Sequence, residues 1–139
     1  MRFAPQRPFQ NMNATTLQQL ATATLTGSMP FPDIVGRLMQ EGVDHYQVDC
    51  LALQFRFYGV QGGVVLAPLL YEGLPPVAQA FDLPALKAAI HDSQTQGQKF
   101  RDFCARAMQA GVQSYSVFLR GQRAMYIGRQ GDHHVEFFP

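Results

Sequence analysis

The chain contains an internal repeat, and this feature constrains its fold more than any other. When the sequence is shifted by 69 positions, residues 31–62 align with residues 100–131 without a gap. Of these 32 positions, 12 are identical, whereas chance at ordinary composition gives roughly 2. Leu17/Leu86 and Thr26/Thr95 extend the match towards the N-terminus. The repeat predicts a tandem duplication in which both halves carry the same order of helices and strands.

Each half is predicted to begin with two helices. The first helices are expected at about residues 14–25 and 84–94, with Asn13 and either Asp82 or Leu83 at their N-termini. The second helices are expected at about residues 32–41 and 99–110. Gly42 and Gly111 follow them, where a left-handed backbone favours glycine. The core-facing residues of the second helices are predicted to be Ile34, Leu38 and Met39 in one copy and Phe103, Ala107 and Met108 in the other.

A β-meander is predicted to follow the helices in each half. Residues 45–58 and 114–127 alternate with period 2, which is typical of half-buried strands. Two-residue turns at Leu51-Ala52 and Arg120-Gly121 would place Tyr46 opposite Phe57 and Tyr115 opposite Tyr126. We therefore expect Tyr46 and Tyr115 to be core residues. Third strands are expected near residues 64–66 and 133–138.

The predicted fold class is α+β, with two tandem helix-helix-β-meander repeats forming one domain. The sheet is expected to be antiparallel, with the helices packed on one face. The repeats occupy about residues 14–66 and 84–138, and the connector about residues 67–83. Because the connector is apolar and contains Pro68, Pro75 and Pro76, we expect it to pack on the sheet rather than to be a flexible linker. One domain of residues 1–139 is therefore expected.

Composition excludes several classes of protein. A chain of 139 residues with a formal net charge of +1 is not expected to bind nucleic acid, because dedicated nucleic-acid binders are strongly basic. The N-terminus lacks the apolar core of a signal peptide, and no apolar run has the length of a membrane span. Cys50 and Cys104 do not make a disulfide framework and occupy predicted core positions. A cytoplasmic protein with no cofactor and no membrane association is expected.

The two copies differ most on the hairpin face turned away from the helices. The second copy carries Phe118, Met125 and Ile127 there, which are exposed unless something covers them. An uncovered apolar patch usually marks a contact surface. The covering element is a partner subunit, the connector or the N-terminal arm. The leading hypothesis is a non-enzymatic module that binds a protein or small-molecule partner through this face as a homodimer.

The first copy carries polar residues on the same face. His45, Asp49, Arg56 and Tyr58 could form an acid–base cluster of an enzyme or of a small-molecule-binding protein, which is the second hypothesis. Outward polar residues of a strand are more often simply solvated. The copies also differ in charge, since residues 16–62 sum to 2 − 4 = −2 and residues 85–131 to 7 − 2 = +5. Arg120 and Arg123, in the basic copy, are weak candidates for binding an anion.

The C-terminal segment contains two further candidate residues. If residues 133–138 form a strand, His134 and Glu136 share one face and could supply two metal ligands. Two ligands do not make a zinc site, which takes three or four from the protein. Two hypotheses remain open: His134 and Glu136 belong to a ligand-binding pocket, or they lie on a solvated edge strand. No metal site is predicted.

The order of three segments, "FPDIV…GVDHYQVD", "FRDFCARAMQAGVQSYSV" and "MYIGRQGDHHVEFFP", resembles the YbcV-like bacterial and prophage proteins, often labelled phage envelope proteins. The resemblance covers about residues 15–139. It rests on Tyr46, Val48, Asp49, Gly111, Tyr115, Gly131, Glu136 and the terminal Phe-Pro. It implies a small α+β protein, and it supplies no catalytic or binding residues.

Overall fold

The computed structural model describes residues 12–138, so predictions about the N-terminal arm lie outside the described residues. The first half consists of helices α1 (Ala14–Thr26) and α2 (Phe31–Gln40) and strands β1 (Val43–Asp49), β2 (Gln54–Gly59) and β3 (Val64–Pro68). The second half consists of helices α3 (Leu83–Thr95) and α4 (Phe100–Gln109) and strands β4 (Val112–Phe118), β5 (Arg123–Gly128) and β6 (His133–Phe137).

The helix-helix-strand pattern is repeated twice, which confirms the predicted α+β fold. Each element of the second half begins and ends 69 residues after its counterpart. Thus β1 begins at 43 and β4 at 43 + 69 = 112. Even the backbone irregularities recur, because Gly42 and Gly111 have φ of 80° and 89°. Leu53 and Gln122, also 69 residues apart, have φ of 56° and 51°.

The six strands form one antiparallel sheet in the order β3-β2-β1-β4-β5-β6. The predicted register is confirmed, because Tyr46 pairs with Phe57 and Tyr115 with Tyr126. The turns are longer than predicted. The first hairpin leaves residues 50–53 outside the ladder, because the N–H of Cys50 donates to Gln113 O on the neighbouring strand at 2.8 Å.

Local sequence accounts for the helix boundaries. Asn13 caps α1 by accepting a hydrogen bond from Thr16 N at 2.9 Å. Asp82 caps α3 in the same way through Ala85 N at 3.1 Å. Such caps satisfy backbone N–H groups that have no partner within the helix. Pro32 lies in the first turn of α2, where a missing N–H costs little.

The helices pack on one face of the sheet, and the core lies between these two layers. Phe103 of α4 contacts Tyr115 and Tyr126, with ring centroids 6.0 and 6.2 Å apart. Burial raises the pKa of Tyr46, Tyr115 and Tyr126, which are therefore neutral phenols. The buried hydrophobic residues of both halves belong to one cluster.

Both cysteines are buried free thiols, as predicted. Burial, reinforced by the Asp49 carboxylate, raises the pKa of Cys50 to about 12. Burial also raises the pKa of Cys104. Because the thiolate is the reactive form, neither residue is a nucleophile near neutral pH.

The connector is packed rather than flexible, as predicted, with Leu69 and Val77 buried. It lies mainly against the helices and not along the sheet as expected, because Tyr71 packs on Phe100 of α4 and Ala78 N donates to Met108 O. This segment covers α4 but not α2. One prediction about the second helices is therefore wrong: Met108 is 1% exposed, whereas Met39 is 37% exposed. Ile34, Leu38, Phe103 and Ala107 are buried as predicted.

Candidate functional site

The sheet face turned away from the helices, here called the open face, carries the candidate residues of both hypotheses except His134 and Glu136. Period-2 alternation and the strand register place three rows of six side chains across it. Within residues 12–138, no helix packs on this face. The open face is therefore the candidate site.

The first row is mainly aromatic. From β3 to β6 it consists of Val64, Tyr58, His45, Phe118, Arg123 and Phe137. The His45 ring stacks between Tyr58, 4.7 Å away, and Phe118, 5.5 Å away. Arg123 lies over the Phe137 ring at 4.5 Å, within the range of a cation–π contact. Because the rings stand side by side, their edges rather than their faces point to solvent.

From β3 to β6, the second row consists of Leu66, Arg56, Gln47, Ser116, Met125 and Val135, and the third of Pro68, Gln54, Asp49, Ser114, Ile127 and His133. In the first half these two rows contain a polar network. Arg56 donates to Asp49 Oδ2 and to Gln47 Oε1, each at 2.8 Å. The other carboxylate oxygen, Asp49 Oδ1, accepts from the backbone N–H groups of Leu51 and Ala52 at 2.9 and 2.8 Å. Asp49 therefore holds the β1–β2 turn.

The carboxylate of Asp49 is stabilised in its ionised form. Partial burial acts to raise its pKa, but hydrogen bonds from Ala52, Arg56 and Leu51, together with the charge of Arg56, outweigh burial. The pKa of Asp49 is therefore lowered. A carboxylate held in this way is a poor proton donor or acceptor near neutral pH.

The structure brings His45, Asp49, Arg56 and Tyr58 onto one face, but as two separate contacts. His45 stacks on Tyr58, and Asp49 pairs with Arg56. A depression of about 380 Å³ lies beside them and is lined by Asp44, Phe118, Leu119, Arg120, Gly121 and Arg123. None of the four residues of the polar hypothesis lines it.

Apolar side chains at both ends of the open face are more exposed than those in its middle. Phe118, Met125 and Ile127 are half-buried. Val64 and Leu66 on β3 are 51% and 48% exposed, and Phe137 on β6 is 61% exposed. These three residues were absent from the sequence-based candidates. Alternation within β3 and β6 could have placed them on this face once the pairing of each edge strand was assumed.

His134 and Glu136 lie on the opposite side of the sheet from His45. They pair with Tyr126 and Ala124, which face the helices. His134 Nε2 lies 2.9 Å from Glu136 Oε1, so the two side chains satisfy each other. They therefore do not join His45, Asp49, Arg56 and Tyr58 on the open face.

Within residues 12–138, no three His, Cys, Asp or Glu side chains lie close enough together to hold a metal ion. Over the same residues, every helix is too short or too polar to cross a bilayer.

The protein-family description "Protein of unknown function (DUF1398)" matches residues 19–135, which include almost every element of the fold. The chain belongs to the DUF1398 family. Uncharacterised proteins of Mycobacterium bovis and of two strains of Mycobacterium tuberculosis are similar to it, each 33% identical over 76 residues. The match covers 51% of this chain and 46% of each relative, so the chain spans about half the length of these relatives. Membership of DUF1398 assigns no activity.

Proposed function

We propose that the protein is an interaction module whose open face packs against the open face of a second copy. The observation that carries the proposal is the exposure of Val64, Leu66 and Phe137 at the two ends of this face. Large apolar side chains exposed together usually mark a contact surface. The centre of the face needs no further partner, because Arg56, Asp49 and Gln47 already bond one another.

A twofold axis would make the open face complementary to itself. A twofold axis parallel to the strands, above the β1–β4 pair, lays β3 of one copy over β6 of the other. Val64 then meets Phe137 of the second copy, and Arg123 of the second copy lies over Tyr58. Two sheets packed in this way form a sandwich about 10 Å thick.

Charge favours the same arrangement. Residues 16–62 carry a net charge of −2 and residues 85–131 a net charge of +5. Most of these charges lie on the helices or at their ends, so they act on the approach of two copies rather than within the contact. The proposed axis brings the acidic half of one copy onto the basic half of the other, whereas an axis across the strands would oppose like halves. Complementary potentials steer association and reject the wrong orientation.

The area of the face supports a reversible dimer. Six strands about 4.8 Å apart and about 16–23 Å long give a footprint of about 500–600 Å² per copy. Stable interfaces bury about 800 Å² per partner. We therefore expect a reversible dimer with a dissociation constant in the micromolar range rather than an obligate dimer.

The test is the mass of the protein in solution, measured by light scattering over a series of concentrations. Wild-type protein should approach the dimer mass at high micromolar concentration. Phe137→Asp and Leu66→Asp should each shift the midpoint at least tenfold towards monomer. Leu70→Asp is the matched control, because Leu70 is 73% exposed but lies on the connector. A wild-type protein that stays monomeric throughout would overturn the proposal.

The alternative, a small-molecule or catalytic site around His45, Asp49, Arg56 and Tyr58, has less support. Asp49 and Arg56 use their polar atoms on each other and on the turn. We also propose that the chain is related to the YbcV-like prophage proteins and that its repeat arose by duplication. So does a cytoplasmic location, which suits two free thiols.

A further inference from the structure

The chain reaches α1 and α3 by matching contacts with the sheet. Met12 and Phe81 are 69 residues apart, and so are Gly59 and Gly128, which they contact. A Cβ on Gly59 would lie 3.0 Å from Met12 Cε, and a Cβ on Gly128 would lie 2.9 Å from the Phe81 ring. In each half the residue that follows caps the helix. The segments before α1 and α3 therefore end at equivalent positions.

The start of the connector also has a counterpart. The connector leaves β3 at Leu69, whose N–H donates to Leu53 O at 2.9 Å. Phe138, 69 residues later, leaves β6 and donates to Gln122 O at 2.9 Å. The Phe138 ring then lies against Phe31 of α2, with ring centroids 5.3 Å apart. Two equivalent paths therefore begin at Leu69 and at Phe138.

Between its two ends the connector covers α4. The Tyr71 ring packs against Phe100 with centroids 6.4 Å apart. Further along, Val77 is buried, and the N–H of Ala78 donates to Met108 O at 2.9 Å. Apolar side chains of a proline-containing segment thus fill a groove along α4, and a backbone hydrogen bond holds the segment near its end.

Helix α2 has an equivalent groove. Phe31, Val35 and Met39 lie one turn apart on one side of α2, and each stands 69 residues before a residue of the covered groove on α4. With residues of the β4–β5 turn they line a groove of about 440 Å³, here called the α2 groove. Met39 O accepts from Gly42 N at 3.1 Å, and a carbonyl has room for a second donor. It can therefore receive the bond that the connector makes to Met108 O.

The sequence before α1 has the pattern that fills the groove on α4. In the connector, an aromatic residue stands six positions before Val77, which follows a proline. In residues 1–11, Phe3 stands six positions before Phe9, which also follows a proline. The shift of 69 places residues 1–11 over residues 70–80, and the two patterns coincide to within one residue. Prolines favour the extended backbone that such a groove accommodates.

We propose that residues 1–11, the N-terminal arm, occupy the α2 groove of their own chain in the way the connector occupies the groove on α4. Both ends of the equivalent path are already in place, because Met12 contacts the sheet at one end and Phe138 lies on α2 at the other. Because the arm is tethered beside the groove, its effective concentration there exceeds that of a separate peptide.

The repeat also assigns the contacts of the arm. Phe3 packs against Phe31, and Phe9 packs beside Met39. The N–H of Gln10 donates to Met39 O, as Ala78 does in the other half. The arm is thereby held on the helix side of the sheet, so the open face and its proposed dimer do not involve it.

A tryptophan reporter tests the position of the arm, since the chain contains no tryptophan. Emission of Phe9→Trp should lie at shorter wavelength and resist acrylamide quenching, in contrast to Leu70→Trp at a site that is 73% exposed. Adding Met39→Asp should shift the emission to longer wavelength, whereas adding Leu66→Asp on the open face should leave it unchanged. Phe3→Trp is an independent second reporter. Reporters that are fully quenched, or that respond to Leu66→Asp instead of Met39→Asp, would overturn the proposal.

Disulfide trapping distinguishes the chain's own arm from that of a second copy. Both native thiols are buried, so a mild oxidant acts first on the pair introduced by Phe9→Cys and Met39→Cys. We expect a disulfide within one chain, seen as a monomer on a non-reducing gel and identified by mass spectrometry. Phe9→Cys with Leu66→Cys is the control and should remain unlinked. A linked dimer would place the arm in the groove of another copy and overturn the proposal, as would the absence of a link.

Discussion

Among single residues, Asp49 shows most directly how a polar side chain can serve the fold. Its two carboxylate oxygens make three contacts, since they accept from Leu51 and Ala52 in the turn and pair with Arg56. These contacts lower the pKa of the carboxyl group. The second half has Phe118 at the equivalent position, which stacks on His45. The same position therefore closes a turn in one half and joins an aromatic row in the other.

Replacing Asp49 by asparagine should reveal this role through its pH dependence. We expect Asp49→Asn to lower the free energy of unfolding by about 1–3 kcal/mol at pH 7, because the amide cannot pair with the Arg56 charge. The folded-state pKa of Asp49 is lowered, so its stabilisation is present above the unfolded pKa of about 4. This stabilisation is lost as the pH falls through the pKa of Asp49 in the folded protein.

Urea unfolding at pH 7 and pH 3 measures this effect. The difference between wild type and Asp49→Asn should shrink at pH 3. The exposed Asp132→Asn is the control, with an expected change within about 0.5 kcal/mol at both pH values. If Asp49→Asn lowers the free energy of unfolding equally at both pH values, the ionised Asp49 carboxylate does not stabilise the fold as proposed.

Among the elements, the connector breaks the equivalence of the two halves. Its last residues approach the sheet closely at Gly111 and Gly128. A Cβ on Gly111 would collide with Ala80 O, and one on Gly128 would lie 2.9 Å from the Phe81 ring. These two glycines therefore mark where the connector is held against the second half.

Gly111→Ala tests how tightly the connector is held. Gly111 has φ of 89° and Gly131 has φ of 90°, but a Cβ on Gly131 has no neighbour within 4 Å. Both substitutions carry about 1 kcal/mol of backbone strain. Gly111→Ala should cost about 2 kcal/mol more, because backbone atoms must move. Urea unfolding of both variants measures this difference, and equal losses would indicate a loosely held connector.

Sequence predicts the elements well where the determinants are local. The caps Asn13 and Asp82, and the left-handed Gly42 and Gly111, follow from neighbouring residues. Period-2 alternation also predicts the register of each hairpin, because a slip by one residue would move every side chain to the opposite face of the sheet. The same alternation predicts which residues lie on the open face.

Sequence fails where exposure depends on distant segments. Met39 and Met108 have the same local pattern, yet only Met108 lies beneath the connector. His134 and Glu136 look like site residues, but the pairing of β6 with β5 turns them towards the helices. Which surface stays open is decided by long-range packing, which the spacing of residues does not encode.

At the scale of the whole molecule, the two halves meet in a symmetric way. The central pair of strands places Gln47 opposite Ser116, and 47 + 69 = 116. His45 opposes Phe118 and Asp49 opposes Ser114, which are again equivalent positions exchanged. The β1–β4 contact therefore has the geometry of an interface between two identical units, as expected if one half-length chain once paired with itself.

The symmetry predicts that the second half alone forms a homodimer. In a chain of residues 70–139, β4 loses β1, and its unpaired edge can pair with β4 of another copy about Ser116. Tyr115 would then face Val117, a close match to the Val48–Tyr115 pair of the full chain.

Light scattering should give twice the mass of the half, and circular dichroism should show helix and sheet. Val117→Pro should abolish dimerisation, because the backbone groups of residues 113, 115 and 117 point to the β1 edge of β4 and proline removes one of these N–H donors, whereas Val117→Ile should preserve it. An unfolded monomer would mean that the divergence of the halves has removed their capacity for self-pairing.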